Sequence, residues 1–142
     1  MANIQIVVFK VGNENFGIDI EHVVEIIGSQ QVYKVPESPA FVEGISNIRN
    51  MVCLVINLRT KFKLPSKEYD DNTKIIITGS NSSPVGLLVD EVSEVMWIDD
   101  SVIDRTSENL VKYEKKNISG IAKLENSIIL IMDTRQFIEK LG

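Results

Sequence analysis

The sequence holds a single cysteine, a single histidine and no block of basic residues, and each scarcity removes a class of function. One cysteine, Cys53, excludes an internal disulfide and suits a reducing compartment. It lies inside the apolar run Met51 to Ile56, which points to a buried, inert thiol rather than a nucleophile. The lone histidine, His22, has no cysteine near it, so it forms neither a metal cluster nor half of a Cys-His pair. It reads as a surface residue. A net charge of −5 without a Lys/Arg block implies no sequence-independent binding to nucleic acid. No apolar run exceeds Met51 to Ile56, which is too short to cross a bilayer, so direct membrane insertion is not expected.

Signatures of catalysis are also missing. The segment "GSNSSPVG" (Gly79 to Gly86) has neither the Lys-Ser/Thr ending nor the following helix of a phosphate loop. No Gly-X-Ser-X-Gly elbow occurs. The acid pairs Asp70-Asp71 and Asp99-Asp100 lack EF-hand spacing and read as solvated loops. No catalytic residue, cofactor or metal ligand is assigned. The N-terminus "MANIQIVVFKVG" carries Lys10 after its apolar stretch and shows no small-residue cleavage site, so it reads as a first strand and not a signal peptide. A cytoplasmic binding module is the expectation.

What is present is an ordinary globular composition, 44% hydrophobic and 25% charged over 142 residues. That length suits one domain, and folding buries roughly 70% of the unfolded surface, enough for a sizeable core. Within it lies an internal repeat. "GIDIEHVVEI" (Gly17 to Ile26) aligns without a gap with "GLLVDEVSEV" (Gly86 to Val95), pairing Ile20 with Val89, Val23 with Val92 and Glu25 with Glu94. "GISNIRNMVCLVINLR" (Gly44 to Arg59) aligns with "GIAKLENSIILIMDTR" (Gly120 to Arg135), pairing Asn50 with Asn126, Asn57 with Asp133 and Arg59 with Arg135. The offsets differ slightly, so one insertion separates the blocks. Two small all-β halves, roughly 1–75 and 76–142, are implied, with strands open to exchange between them.

Short strands separated by turn signals indicate barrels or a sandwich, and two small barrels side by side is the economical reading. Loops are expected at Val35 to Pro39, Pro65 to Thr73, Gly79 to Pro84 and Asp99 to Asn117. Phe137, Ile138 and Leu141 share one face of a short closing helix, with Leu58 to Leu64 as its counterpart in the first half. Arg49-Asn50 falls between two apolar strands, where a two-residue hairpin turn belongs. Asn50 suits the positive φ of such a turn. Arg49 is left at the tip with its guanidinium in water, and the matching residue of the second half is Glu125.

Along nearly its whole length the chain resembles the CheW-type coupling proteins of bacterial chemotaxis. The carrying motifs are "FKVGNENFGIDIEHVVEI", "VPESPAFVEGISNIRNMVCLVINLR", "VGLLVDEVSEV" and "ISGIAKLENSIILIMD". The family's central signature is matched by Val35, Pro36, Pro39, Phe41, Val42, Gly44, Ile45, Asn47, Ile48 and Arg49, followed by Asn57, Leu58 and Arg59. Asn50 stands where the family usually has Gly, the mildest replacement at positive φ.

The resemblance implies two five-stranded, SH3-like barrels around a shared core, and a scaffold that is not an enzyme. It implies coupling of the tip of a helical chemoreceptor hairpin to the regulatory domain of the histidine kinase CheA, in arrays at the inner face of the membrane. It assigns Arg49 to a surface beside the receptor-binding groove, with Asn50 and Glu25 as companions. Glu25, being shared with Glu94, can equally serve the fold. Val23, Ile26 and Ile27 lie in a segment too apolar for every side chain to point inward, and are expected to contact the kinase. Alone, the protein is expected to be a monomer. Two rival readings stand beside this one: the same module as part of a larger kinase or receiver-fused coupling protein, and a small-molecule-binding β-barrel. Met1 just before the first strand and Gly142 just after the closing helix favour a stand-alone coupler over the first.

Overall fold

In a computed structural model, the described residues are 3–80, 83–110, 113 and 117–139. Eleven strands are formed among them: β1 (Asn3–Val11), β2 (Glu14–Asp19), β3 (Glu25–Gly28), β4 (Val42–Ile48), β5 (Met51–Asn57), β6 (Lys74–Ser80), β7 (Ser83–Val89), β8 (Glu91–Asp99), β9 (Ile103–Asp104), β10 (Ile118–Lys123) and β11 (Ile128–Met132). Three short helices accompany them, α1 (Leu58–Lys61), α2 (Ser107–Leu110) and α3 (Thr134–Glu139). The strands make two sheets, a six-stranded one ordered β8-β1-β2-β11-β10-β9 and a five-stranded one ordered β3-β6-β7-β5-β4.

Sheet membership crosses the sequence halves. The N-terminal strands β1 and β2 join β8 to β11, whereas β3 to β7 form the other sheet, and the boundary near residue 75 falls inside β6. The chain passes between sheets twice, through a 3-10 turn at Ile20–His22 and through the single residue Asp90.

The repeat is structural. The parallel pairing of β5 with β7 sets Val55 against Gly86, and that of β11 with β2 sets Ile131 against Gly17. Both hairpins of the second motif are bulged at the same place, after Val42 and after Ile118. The glycines there have a packing reason. A Cβ on Gly44 would lie 2.2 Å from the Tyr33 carbonyl oxygen, and one on Gly120 would lie 2.5 Å from Ile103 Cγ2. In each half a further segment therefore crosses the bulge: Tyr33 bridges Ile45, and Asp104 of β9 pairs with Ile121.

Helix starts repeat too. Asn57 Oδ1 accepts from Thr60 N at 3.3 Å to cap α1, and Asp133 Oδ1 accepts from Arg135 N at 3.0 Å to cap α3. Phe137 of α3 is fully buried and Ile138 half-buried, while Leu141 lies outside the described residues.

Each sheet curls around its own apolar cluster. Ile6, Val8, Ile98, Ile103, Ala122, Ile129 and Ile131 fill the six-stranded barrel, and Cys53, Val55, Ile75, Ile77 and Leu88 the five-stranded one. A third, larger cluster lies between them, built from Phe9, Phe16 and Ile18 of one sheet, Ile56, Ile76 and Leu87 of the other, and Phe137. Strand β1 is buried from Ile6 through Phe9 because it separates a barrel interior from this shared core, so its side chains do not alternate with solvent. Phe16 stacks on Phe9 and on Phe62, which follows α1.

Three sequence expectations change here. The loop expected at Gly79 to Pro84 is largely strand, because Gly79 pairs with Pro84 and Ser80 with Ser83 at the end of the β6–β7 hairpin. The stretch Asp99 to Asn117 contains a 3-10 turn (Asp100–Val102), β9 and α2 within its described residues, and Asp99 caps that turn by accepting from Ser101 N at 2.9 Å. His22 is half-buried, with Nδ1 shielded from solvent and without a hydrogen-bond partner among the described residues. Its position on the crossing between sheets, a feature with no sequence period, accounts for that burial.

Candidate functional site

Ile48 and Met51 pair at the end of the β4–β5 hairpin, leaving Arg49 and Asn50 as a two-residue turn with φ of 52° and 65°. Two successive left-handed residues define a type I′ turn, whose twist matches that of its strands. The turn aims the Arg49 side chain away from its own hairpin and toward β3. Arg49 Nε donates to both carboxylate oxygens of Glu25, at 2.8 and 3.0 Å, and Arg49 Nη2 donates to Oε2 as well. The hydrogen bond to Arg49 holds the Glu25 carboxyl below its ordinary value, and Glu25 in turn raises the Arg49 guanidinium.

This contact corrects the expectation that the Arg49 guanidinium is simply in water. The cause is tertiary: β3 and β4 are the two edges of the five-stranded sheet, and its curl brings them together. Arg49 nonetheless remains 76% exposed against 22% for Glu25, so its outer edge is open to a partner. Beneath the pair is a depression of about 90 Å³, lined by Val24, Glu25, Ile48, Arg49, Met51, Cys53, Ile77 and Pro84. Cys53 forms its floor as a fully buried thiol, and burial pushes its pKa up. An inert core thiol is what remains.

The second barrel lacks this closure. Residues Glu94 and Glu125 occupy the places of Glu25 and Arg49, and two acids cannot pair. A wider depression of about 580 Å³ flanks the β10–β11 tip, lined by Asn15, Leu124, Glu125, Asn126 and Ser127 together with Ile128 and Leu130, and Glu94 is not part of it. The quasi-equivalent hairpin tips thus differ in charge and in shape.

The three expected kinase contacts separate by face. Ile26 is exposed, whereas Ile27 packs half-buried against the Cys53–Leu88 core, and Val23 against the core shared by the sheets. Sequence reasoning passed over Val24, Met51 and Val52, which are exposed at 48%, 36% and 68% and flank Glu25 and Asn50 in the chain. Strand alternation around Ile26 was a usable signal for Val24, since residues two apart share a face. On the other side of Pro84, Glu21, His22, Gly79, Ser83, Thr134, Arg135, Ile138 and Glu139 line a cleft of about 460 Å³ between the 3-10 crossing, the β6–β7 hairpin and α3.

Edge strands complete the surface. β3 and β8 are quasi-equivalent, each ends a sheet, and each exposes apolar side chains: Ile26 on β3, Val95 and Trp97 on β8. Exposed apolar edges of this kind are pairing surfaces. The fold and surface therefore define a two-barrel interaction module of the adaptor class.

The model of the CheW-like domain matches residues 5–141, and the chain belongs to that family, whose function is chemotaxis coupling by a scaffold. It is similar to the chemotaxis protein CheW of Klebsiella aerogenes, 34% identical over 137 residues, covering 96% of this chain and 80% of that one. The CheW of Bacillus subtilis is 32% identical over 136 residues, covering 96% and 87%. The crystal structure of the scaffolding protein TtCheW from Thermoanaerobacter tengcongensis superposes with a TM-score of 0.83 at 32% identity, over 94% of this chain and 86% of that one. Among the described residues no helix is long and apolar enough to cross a membrane.

Proposed function

We propose that the chain couples the cytoplasmic tip of a methyl-accepting chemoreceptor to the regulatory domain of the kinase CheA, without catalysis of its own. It does so in the cytoplasm, as a monomer until recruited to receptor arrays. The observation that carries this reading is the Arg49–Glu25 pair at the rim of an apolar depression, with the guanidinium still largely exposed. An Arg held in place by one carboxylate keeps free donors for a second acceptor on a helical hairpin, and its fork is already oriented. Val24, Met51 and Val52 around it supply apolar surface for such a helix, with Asn50 beside Arg49 at the tip.

The kinase contact is assigned to the β3 edge, with Ile26 as the residue that touches the partner and Val23 and Ile27 as its support from within. The likeness of β3 and β8 favours a two-ended connector, able to alternate with a partner of similar fold in a ring. Calorimetry with a receptor-tip fragment and with the kinase regulatory domain, separately and together, tests the assignment. Affinities near the micromolar level, about −8 kcal/mol, are expected for each, with a ternary complex when both are present. Binding of neither partner by a folded, monomeric protein would overturn it.

A further inference from the structure

A polar contact ties the two sheets together at Asp90. Asp90, the residue at which the chain leaves β7 for β8, accepts from Arg59 Nε through Oδ1 at 2.8 Å and from the Gly12 amide through Oδ2 at 2.7 Å. Its own amide donates to the Lys10 carbonyl at 3.0 Å. Arg59 stands in α1, after β5 of the five-stranded sheet, and Gly12 in the β1–β2 turn of the six-stranded one. Arg59 Nη1 donates further to the Pro65 carbonyl at 2.8 Å, which anchors the loop before β6. Both side chains are largely covered, at 20% and 15% exposure.

The repeat supplies a second place for the same joint, and there it is open. Glu21 follows Gly17 as Asp90 follows Gly86, on the other crossing between sheets, and Arg135 matches Arg59. Among the described residues Glu21 and Arg135 form no ion pair; both instead line the 460 Å³ cleft that holds His22. One joint is therefore bonded and its counterpart is not. The close-packed core between the sheets sets their separation, and the ion pair with its amide contact adds an oriented polar tie at one crossing.

We propose that Arg59 and Asp90 are positioning residues of the scaffold, whose ion pair fixes the angle between the two sheets and so governs simultaneous engagement of partners at the β3 and β8 edges. This rests on the coupling function proposed above. The two ends of the connector, the β3 edge and the β8 edge, lie on different sheets and must be held at a set angle to engage a partner each at the same time, whereas one partner alone needs only one edge.

The test places spin labels on the intact chain at the quasi-equivalent exposed positions Asn47 and Lys123, one on each sheet, through Asn47→Cys and Lys123→Cys. A second pair, Asn47→Cys with Lys74→Cys, reports within the five-stranded sheet. Electron-electron distance distributions are measured with and without Asp90→Asn, and with Arg59→Gln as an independent way of breaking the pair should one variant fold poorly. The between-sheet distribution should broaden or shift in both variants, with the within-sheet distribution unchanged. Receptor-tip and kinase-domain affinities, both assigned to the five-stranded sheet, should each change less than about threefold, while assembly with the kinase domain beyond a one-to-one complex, which needs the β3 and β8 edges together, falls at least about fivefold. An unchanged between-sheet distribution in both variants would overturn the proposal. That readout needs no partner, so it stands apart from a failure of the unsubstituted protein to couple, which would count against the coupling reading alone.

Discussion

Arg49 and Glu25 lie at opposite edges of one five-stranded sheet, with three strands between those edges in hydrogen-bonding order, and their side chains meet. The contact closes the end of a barrel whose edges do not pair along their backbones. Four residues therefore serve two levels at once. Ile48 and Met51 end the hairpin, Arg49 and Asn50 turn it, and the same turn carries a guanidinium to the rim of an apolar depression.

Ile26 and Ile27 should separate binding from folding. Ile26→Asp replaces an exposed side chain on an edge strand, so the fold should hold while kinase-domain affinity falls by about tenfold or more. Ile27→Asp sets a carboxylate against Cys53, Val55 and Ile75 and should cost about 2 kcal/mol or more of stability. Urea unfolding together with calorimetry checks both. Equal stability of the two variants would contradict the facing described here.

Acid should loosen the joint between sheets. Burial acts to raise the Asp90 carboxyl, but bonds from Arg59 and the Gly12 amide, with the charges of Arg59 and Lys67, outweigh it and hold the value below normal. A carboxyl depressed in the folded state binds fewer protons than the unfolded chain does. Its stabilisation is complete above the unfolded value of about 3.9 and is lost as pH falls through the folded value. Urea midpoints measured between about pH 6 and pH 3 should fall, and Asp90→Asn should flatten that fall. A parallel pH profile in the variant would remove Asp90 from the account.

Cys53 and His22 should be dispensable for coupling. Cys53 is fully buried with its pKa raised, so an aromatic disulfide reagent should modify it only as the protein unfolds. Cys53→Ala leaves a small cavity and should cost about 1–2 kcal/mol. His22→Ala removes a shielded nitrogen that has no partner among the described residues, and should be close to neutral. Folded variants that bind both partners but do not couple them would contradict these expectations.

Much of this was legible in the residues. The repeat exposed the matched glycines, the capping pair Asn57 and Asp133, and the likeness of β3 to β8. It could not show that β1 and β2 join the later strands, because alternation fixes which face a strand buries and not which sheet it enters. The turn at Arg49-Asn50 followed from its neighbours, since a two-residue gap between apolar strands is a local signal. The Glu25 contact did not, because it spans 24 positions and arises only when the sheet curls. The open joint at Glu21 and Arg135 escaped for the same reason: matched residues share a sequence position but not a partner.

The proposed receptor coupling rests on Arg49, and receptor-dependent kinase stimulation in a reconstituted mixture tests that role most directly. Three proteins are compared with the unsubstituted chain: Arg49→Ala, Arg49→Lys, and the reversed pair Arg49→Glu with Glu25→Arg. Arg49 is largely exposed, so the melting temperature of Arg49→Ala should hardly move. Its receptor affinity should fall on the order of twenty- to thirtyfold, with stimulation lost in proportion. Arg49→Lys should recover only part, because a point charge cannot reproduce the planar fork. The reversed pair restores a closed barrel with the cation on the wrong strand, and should stay defective. Normal stimulation by a folded Arg49→Ala protein would contradict the claim, and recovery by the reversed pair would reduce Arg49 to a closure of the barrel.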